Sequence, residues 1–177
     1  TRNSYTQNTE LFESTAYYWR IKPENECGNG AFTLENSFAT EVTECFNEEN
    51  NIPVSTVTLL PVSSSIEITD DIPISDINVT LSLTHTYLGD LTIELVSPSG
   101  TIVTLVEQIC ASSDDMEVTF DDSGDALSCS TESPGISGIV IPAGSLSIFN
   151  EESSMGTWTL NITDSFPGDD GELNSWS

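Results

Sequence analysis

Positive charge is what this sequence lacks most. Of 177 residues only Arg2, Arg20 and Lys22 are basic, against 29 Asp and Glu, and the formal net charge is −26. Of the acids only Glu10 and Glu13 precede Lys22, so 27 carboxylates stand in a stretch with no Lys or Arg. Such a surface repels phosphate backbones and anionic headgroups, which argues against nucleic acid and acidic membranes as partners. It also leaves the carboxylates without internal salt-bridge partners. They must be solvated, kept apart or held by metal cations.

Other absences narrow the chemistry. His85 is the one histidine, so His-Glu-x-x-His is impossible, and no Gly-x-Ser-x-Gly elbow accompanies it for a Ser-His-Asp triad. The four cysteines form no Cys-x-x-Cys pair, which disfavours structural zinc. Gly-rich phosphate cradles are absent, and no apolar run is long enough to span a bilayer. No leader pattern follows Thr1, so the chain reads as a processed or excised piece. Carboxylate pairs for glycoside hydrolysis carry no information, because acids are everywhere.

What is present is alternation. Ile77, Val79, Leu81 and Leu83 alternate with Asn78, Thr80 and Ser82, a period of two that predicts a half-buried strand, and His85 shares the inward parity. Gly89-Asp90 marks a turn, Leu91, Ile93 and Leu95 begin a second strand, and residues 97–100 (Ser-Pro-Ser-Gly) predict another turn before a third strand from Ile102. Further strands are predicted at 15–22, 32–40, 64–69, 116–120, 137–141, 145–150 and 157–163, with a last one at the C-terminal end and long polar loops at 111–115 and 123–135. Many short strands with turn signals and no helical period predict an all-β, jelly-roll-like sandwich of about eight or nine strands. Trp158 shares a face with Leu160 and Ile162 and reads as core.

The central stretch also carries a resemblance. His-Thr-Tyr-Leu-Gly-Asp-Leu at 85–91, followed by Ser-Pro-Ser-Gly-Thr at 97–101, resembles the P domain, or Homo B domain, of kexin- and furin-like proteases. Phe-Asp-Asp at 120–122, Leu-Ser-Ile-Phe-Asn at 146–150, Gly-Thr-Trp-Thr-Leu at 156–160 and Gly-Glu-Leu-Asn-Ser-Trp at 171–176 follow in the order of that family. Residues 15–40, with Leu11 six positions before Tyr17 as in a tyrosine corner, look like the last two strands of a fibronectin type III domain. The expected organisation is a partial fibronectin-like hairpin over 1–40, an acidic linker over 41–53 and a P-domain-like jelly roll over 54–177. Four cysteines allow three connectivities; pairing Cys27 with Cys45 and Cys110 with Cys129 keeps each bridge within one module and suits an exported protein.

The resemblance implies a non-catalytic C-terminal accessory module of a secreted, bacterial protease, stabilising or positioning the catalytic domain, with no catalytic residue of its own. It also implies calcium, which takes six to eight oxygen ligands. The loop carboxylates that could serve are Asp90, Asp114, Asp115, Asp121, Asp122, Asp164, Asp169 and Asp170. The alternative is a carbohydrate- or cell-surface-binding module with Trp19, Trp158 and Trp176 as a stacking platform. Asn78-Val79-Thr80 and Asn161-Ile162-Thr163 match the N-glycosylation pattern but fall within predicted strands, where chance explains them.

Overall fold

The computed structural model describes residues 11–12, 15–40, 45–55 and 61–177. The chain divides into two compact units, Thr1–Cys45 and Phe46–Ser177. In the first, β1 (Ala16–Trp19), β2 (Glu24–Asn25), β3 (Gly28–Asn29) and β4 (Asn36–Ala39) make two small antiparallel pairs, β1 with β4 and β2 with β3. Tyr17 stacks on Phe38 with centroids 5.5 Å apart, and its hydroxyl accepts the Phe12 N–H at 2.7 Å. None of its described residues is buried; Tyr18, Trp19, Phe32, Leu34 and Phe38 are exposed. Both strands are shorter than the alternation predicts.

The second unit holds β5 (Glu48–Ser55), β6 (Val62–Ile68), β7 (Val79–His85), β8 (Leu91–Val96), β9 (Ile102–Glu107), β10 (Met116–Asp125), β11 (Ile136–Val140), β12 (Gly156–Asp164) and β13 (Asp170–Trp176). They form two sheets, ordered β11-β10-β7-β13-β5 and β6-β12-β8-β9. Among the described residues the fold is therefore a β-sandwich of nine strands, within the expected number. Period-two alternation turns Val79, Leu81 and Leu83 of one sheet toward Leu91, Ile93, Leu95, Trp158, Leu160 and Ile162 of the other, all buried. The outward positions are hydroxyl-rich ladders: Thr80 faces Thr119 at 3.0 Å, and Ser63 donates to Asn161 at 2.7 Å. Asn161 is thus engaged inside a strand.

Three expectations are corrected. Residues 48–53 are not linker but the greater part of β5, paired with β13 at the edge of the five-stranded sheet. Their polar run hid the strand, although polar residues are ordinary on an edge. Residues 145–150 do not form a strand; Leu146–Phe149 is a 3-10 turn, because the Asp122 carboxylate takes the Leu146 and Ser147 N–H groups, both at 2.9 Å. The loop expected from 123 begins later, since β10 continues to Asp125 and pairs it with Val140.

Cys110 and Cys129 are joined as expected. No bond joins Cys27 to Cys45, both exposed; residues 41–44, which lead into Cys45, lie outside the described residues. The tryptophan platform is likewise corrected. Trp158 and Trp176 are buried, their indole N–H groups donating to Ser154 O at 2.9 Å and Ser64 Oγ at 2.8 Å, and Phe149 meets Trp158 edge-on at 5.2 Å. Only Trp19 of the three is exposed, and it belongs to the other unit.

Candidate functional site

The alternation that builds the core runs on into polar residues at one end. His85 continues Val79, Leu81 and Leu83 on β7; Asp164 continues Trp158, Leu160 and Ile162 on β12. The two inner faces therefore bring them together, His85 Nε2 lying 3.5 Å from Asp164 Oδ2 with both side chains fully withdrawn from solvent. The ring is held at its other nitrogen. Nδ1 lies 3.1 Å from both the Tyr87 N–H and the Tyr87 carbonyl oxygen, so the backbone of Tyr87 holds the ring in either tautomer. At 3.5 Å the approach of Nε2 to Asp164 Oδ2 is an electrostatic contact and too long for a good hydrogen bond, and neither atom has a hydrogen-bond partner among the described residues.

Gly171 makes room for the imidazole. It pairs with His85 in the β13–β7 register, and a Cβ there would lie 2.0 Å from Thr84 O and 2.7 Å from His85 Cδ2. Asp115 anchors the end of β7, its Oδ1 accepting the His85 N–H at 3.0 Å and its Oδ2 the Ser133 hydroxyl at 2.6 Å.

Three loops meet beside this pair and border an open depression of about 530 Å³ lined by Tyr87, Gly89, Asp90, Gln108, Ala111, Phe166, Pro167 and Asp169. The 3-10 turn Leu88–Asp90 is tied to the second loop by Gly89 N–H to Ala111 O at 2.9 Å, and to the third by Ser165 N–H to Asp90 O at 3.0 Å. Gly89 cannot carry a side chain, because a Cβ would sit 2.8 Å from Ala111 Cα. In the second loop Gln108, Cys110 and Ala111 all adopt positive φ, and the Cys110–Cys129 bridge leaves from it. Asp169 accepts the Thr86 hydroxyl at 2.9 Å. Asp90 is buried, and its pKa is raised by that burial and by the neighbouring Asp164 and Asp169, with His85 opposing.

The eight carboxylates expected as metal ligands thus separate. Asp121 closes its own turn by accepting the Ser123 N–H at 2.7 Å and hydroxyl at 2.8 Å. Burial raises the Asp122 pKa, but the Ser145 hydroxyl and the Leu146 and Ser147 N–H groups outweigh it and hold the group below the usual range. Asp115 is similarly taken up, and Asp114 and Asp170 are exposed. Asp90, Asp164 and Asp169 alone converge. The orphaned Asp164 Oδ2 suits a cation in chemistry, but among the described residues no group of three or more His, Cys, Asp or Glu side chains is placed to hold a metal ion. These residues do not fit a pre-formed calcium site. Parity from Trp158 onward marks Asp164 as inward, and Tyr87 stands out only as part of the 85–91 motif; nothing in the sequence marked Gln108 or Phe166.

The chain is similar to several known proteins. The family model described as the proprotein convertase P-domain matches residues 74–177. A calcium-dependent protease of Trichormus variabilis is 27% identical over 138 residues, which are 76% of this chain and 18% of that protein. A transglutaminase-activating metalloprotease of Streptomyces mobaraensis is 32% identical over 102 residues, 58% of this chain and 10% of that protein. The crystal structure of a serine protease of Aeromonas sobria aligns with a TM-score of 0.47 and 19% identity, over 96% of this chain and 27% of that one. The chain therefore spans less than a fifth of the length of these curated relatives.

Proposed function

Since the chain belongs to the proprotein convertase P-domain family, we propose that it is a non-catalytic accessory module of a larger bacterial protease, acting by stabilising or positioning the catalytic domain. The observation that carries this reading is the fate of the one histidine. His85 is buried between Asp164, Gly171 and the Tyr87 backbone, with no path to a substrate bond. The relatives' names support the protease context. The Cys110–Cys129 bridge supports an extracellular location, and no helix among the described residues is long and apolar enough to cross a membrane. Residues 11–40 we read as the end of a fibronectin type III-like domain, on the Phe12–Tyr17 hydrogen bond of tyrosine-corner type. Expression of the parent protease with and without residues 46–177 tests the reading. Loss of soluble, active enzyme and a lower inactivation temperature are expected on deletion; equal yield and equal heat resistance would end it.

A second reading, that the module binds calcium through Asp90, Asp164 and Asp169, is favoured by the unpartnered Asp164 Oδ2 and by the name of the Trichormus relative. It requires these loops to rearrange. A melt in calcium against magnesium at matched ionic strength decides it: a saturable, calcium-selective rise lost in Asp164→Asn supports a site, and no rise ends it.

A further inference from the structure

We propose that the depression between Tyr87, Asp90, Phe166 and Asp169 binds the guanidinium of an arginine side chain presented by a protein partner. Asp90 lines this depression at 7% exposure, and its carboxylate accepts no hydrogen bond among the described residues. The half-buried Asp115 and Asp122 are by contrast supplied, Asp115 by Ser133 and a backbone N–H, Asp122 by Ser145 and two backbone N–H groups. The Asp90 oxygens keep contact with solvent at the depression, where a donor from a partner can reach them. A cationic donor cannot come from this unit, which has no Lys or Arg.

The walls decide which cation. Tyr87, Phe166 (55% exposed) and Pro167 offer flat apolar faces. A hard metal ion gains nothing from them, whereas a guanidinium stacks on aromatic faces while its fork of N–H donors reaches carboxylates. Asp90 and Asp169 supply those acceptors on the same depression, and Asp169 has engaged only Oδ1, with Thr86. The depression is open to solvent and so accessible to a side chain presented by a partner. That the presenting partner is the catalytic domain rests on the accessory-module reading; that the pocket takes a guanidinium does not.

The experiment titrates an N-acetylated, C-amidated Gly-Arg-Gly peptide into the ¹⁵N-labelled 177-residue chain at physiological salt, with the citrulline peptide and calcium chloride as parallel arms. Saturable shifts are expected at the amides of Gly89, Gln108 and Phe166 with arginine and not with citrulline. Asp90→Asn should weaken binding about tenfold or more. Phe166→Ala, at an exposed position that leaves folding intact, should weaken it about two- to fivefold. Equal shifts with citrulline, shifts scattered over the acidic surface and indifferent to both substitutions, or calcium saturating the same amides and excluding the peptide would each overturn the proposal. Peptide binding together with a parent protease indifferent to deletion of the module would sink the accessory reading and leave this one standing.

Discussion

Gly171→Ala is a severe test of the geometry around His85, because it adds one methyl group. Gly171 has no positive φ to explain it; what forbids a side chain is contact. The new Cβ would lie 2.0 Å from Thr84 O, 2.7 Å from His85 Cδ2 and 3.0 Å from His85 Cα. Two of these three atoms are β7 backbone, so no rotamer relieves them, and β13 must back away from β7 where Gly171 faces His85 in register. Overpacking of this kind costs about 1–3 kcal/mol, with the upper end expected where backbone must yield and strand pairing is lost with it. For a unit of this size about 3 kcal/mol lowers the melting temperature by roughly 10 °C. Thermal unfolding by near-ultraviolet circular dichroism reads it. The double variant Gly171→Ala/His85→Ala removes the ring contact but not the closer Thr84 contact, so it should not recover. A Gly171→Ala protein melting within about 2 °C of the parent would refute the placement of β13 against β7.

The remaining predictions concern side chains whose partners the structure names. Asp122→Asn should cost about 2 kcal/mol at neutral pH, since it weakens charge-assisted hydrogen bonds that hold the Leu146–Phe149 turn. Because the folded pKa of Asp122 is depressed, that contribution is full above the unfolded carboxyl range and is lost as pH falls through the folded value. Urea midpoints of the two proteins should therefore converge in acid. Asp90 has the opposite sign: its raised folded pKa opposes folding at neutral pH and the penalty lifts as pH falls through that pKa, so Asp90→Asn should melt no lower than the parent at pH 7. Trp158→Ala should cost about 3–5 kcal/mol by denaturant titration, with a cavity left against Phe149. Replacing both Cys110 and Cys129 by Ala, whose bridge closes a separation of 19 residues, should cost about 3 kcal/mol on the same assay.

The sandwich was legible in the sequence wherever one face is buried and the other wet. β7, β8, β12 and the first half of β10, up to Phe120, alternate strictly, and so the same rule that located the core also turned His85 inward and, carried two residues past Ile162, turns Asp164 inward as well. It failed at 145–150, where Leu146, Ile148 and Asn150 mimic a strand period and only Asp122, more than twenty residues away, settles a 3-10 turn. It failed again at 48–53, where an edge strand has no need of apolar alternation. The pocket was invisible for a different reason. Tyr87, Gln108 and Phe166 come from three loops whose meeting depends on β7, β9 and β12 ending at the same end of the sandwich, a property of topology and not of local composition. Among so many acids, choosing ligands by loop position alone gathered Asp115, Asp121 and Asp122, whose oxygens serve the chain's own backbone and hydroxyls.

Hydrogen exchange on the parent protease, compared with this chain alone, tests most directly whether the module works by docking through its charged end. Protection in the parent is expected at amides of residues 87–90, 108–111 and 165–169, and it should weaken in Asp90→Asn and Phe166→Ala. Identical exchange in both contexts, or protection confined to the opposite end around the Ser97–Thr101 turn, would contradict the account.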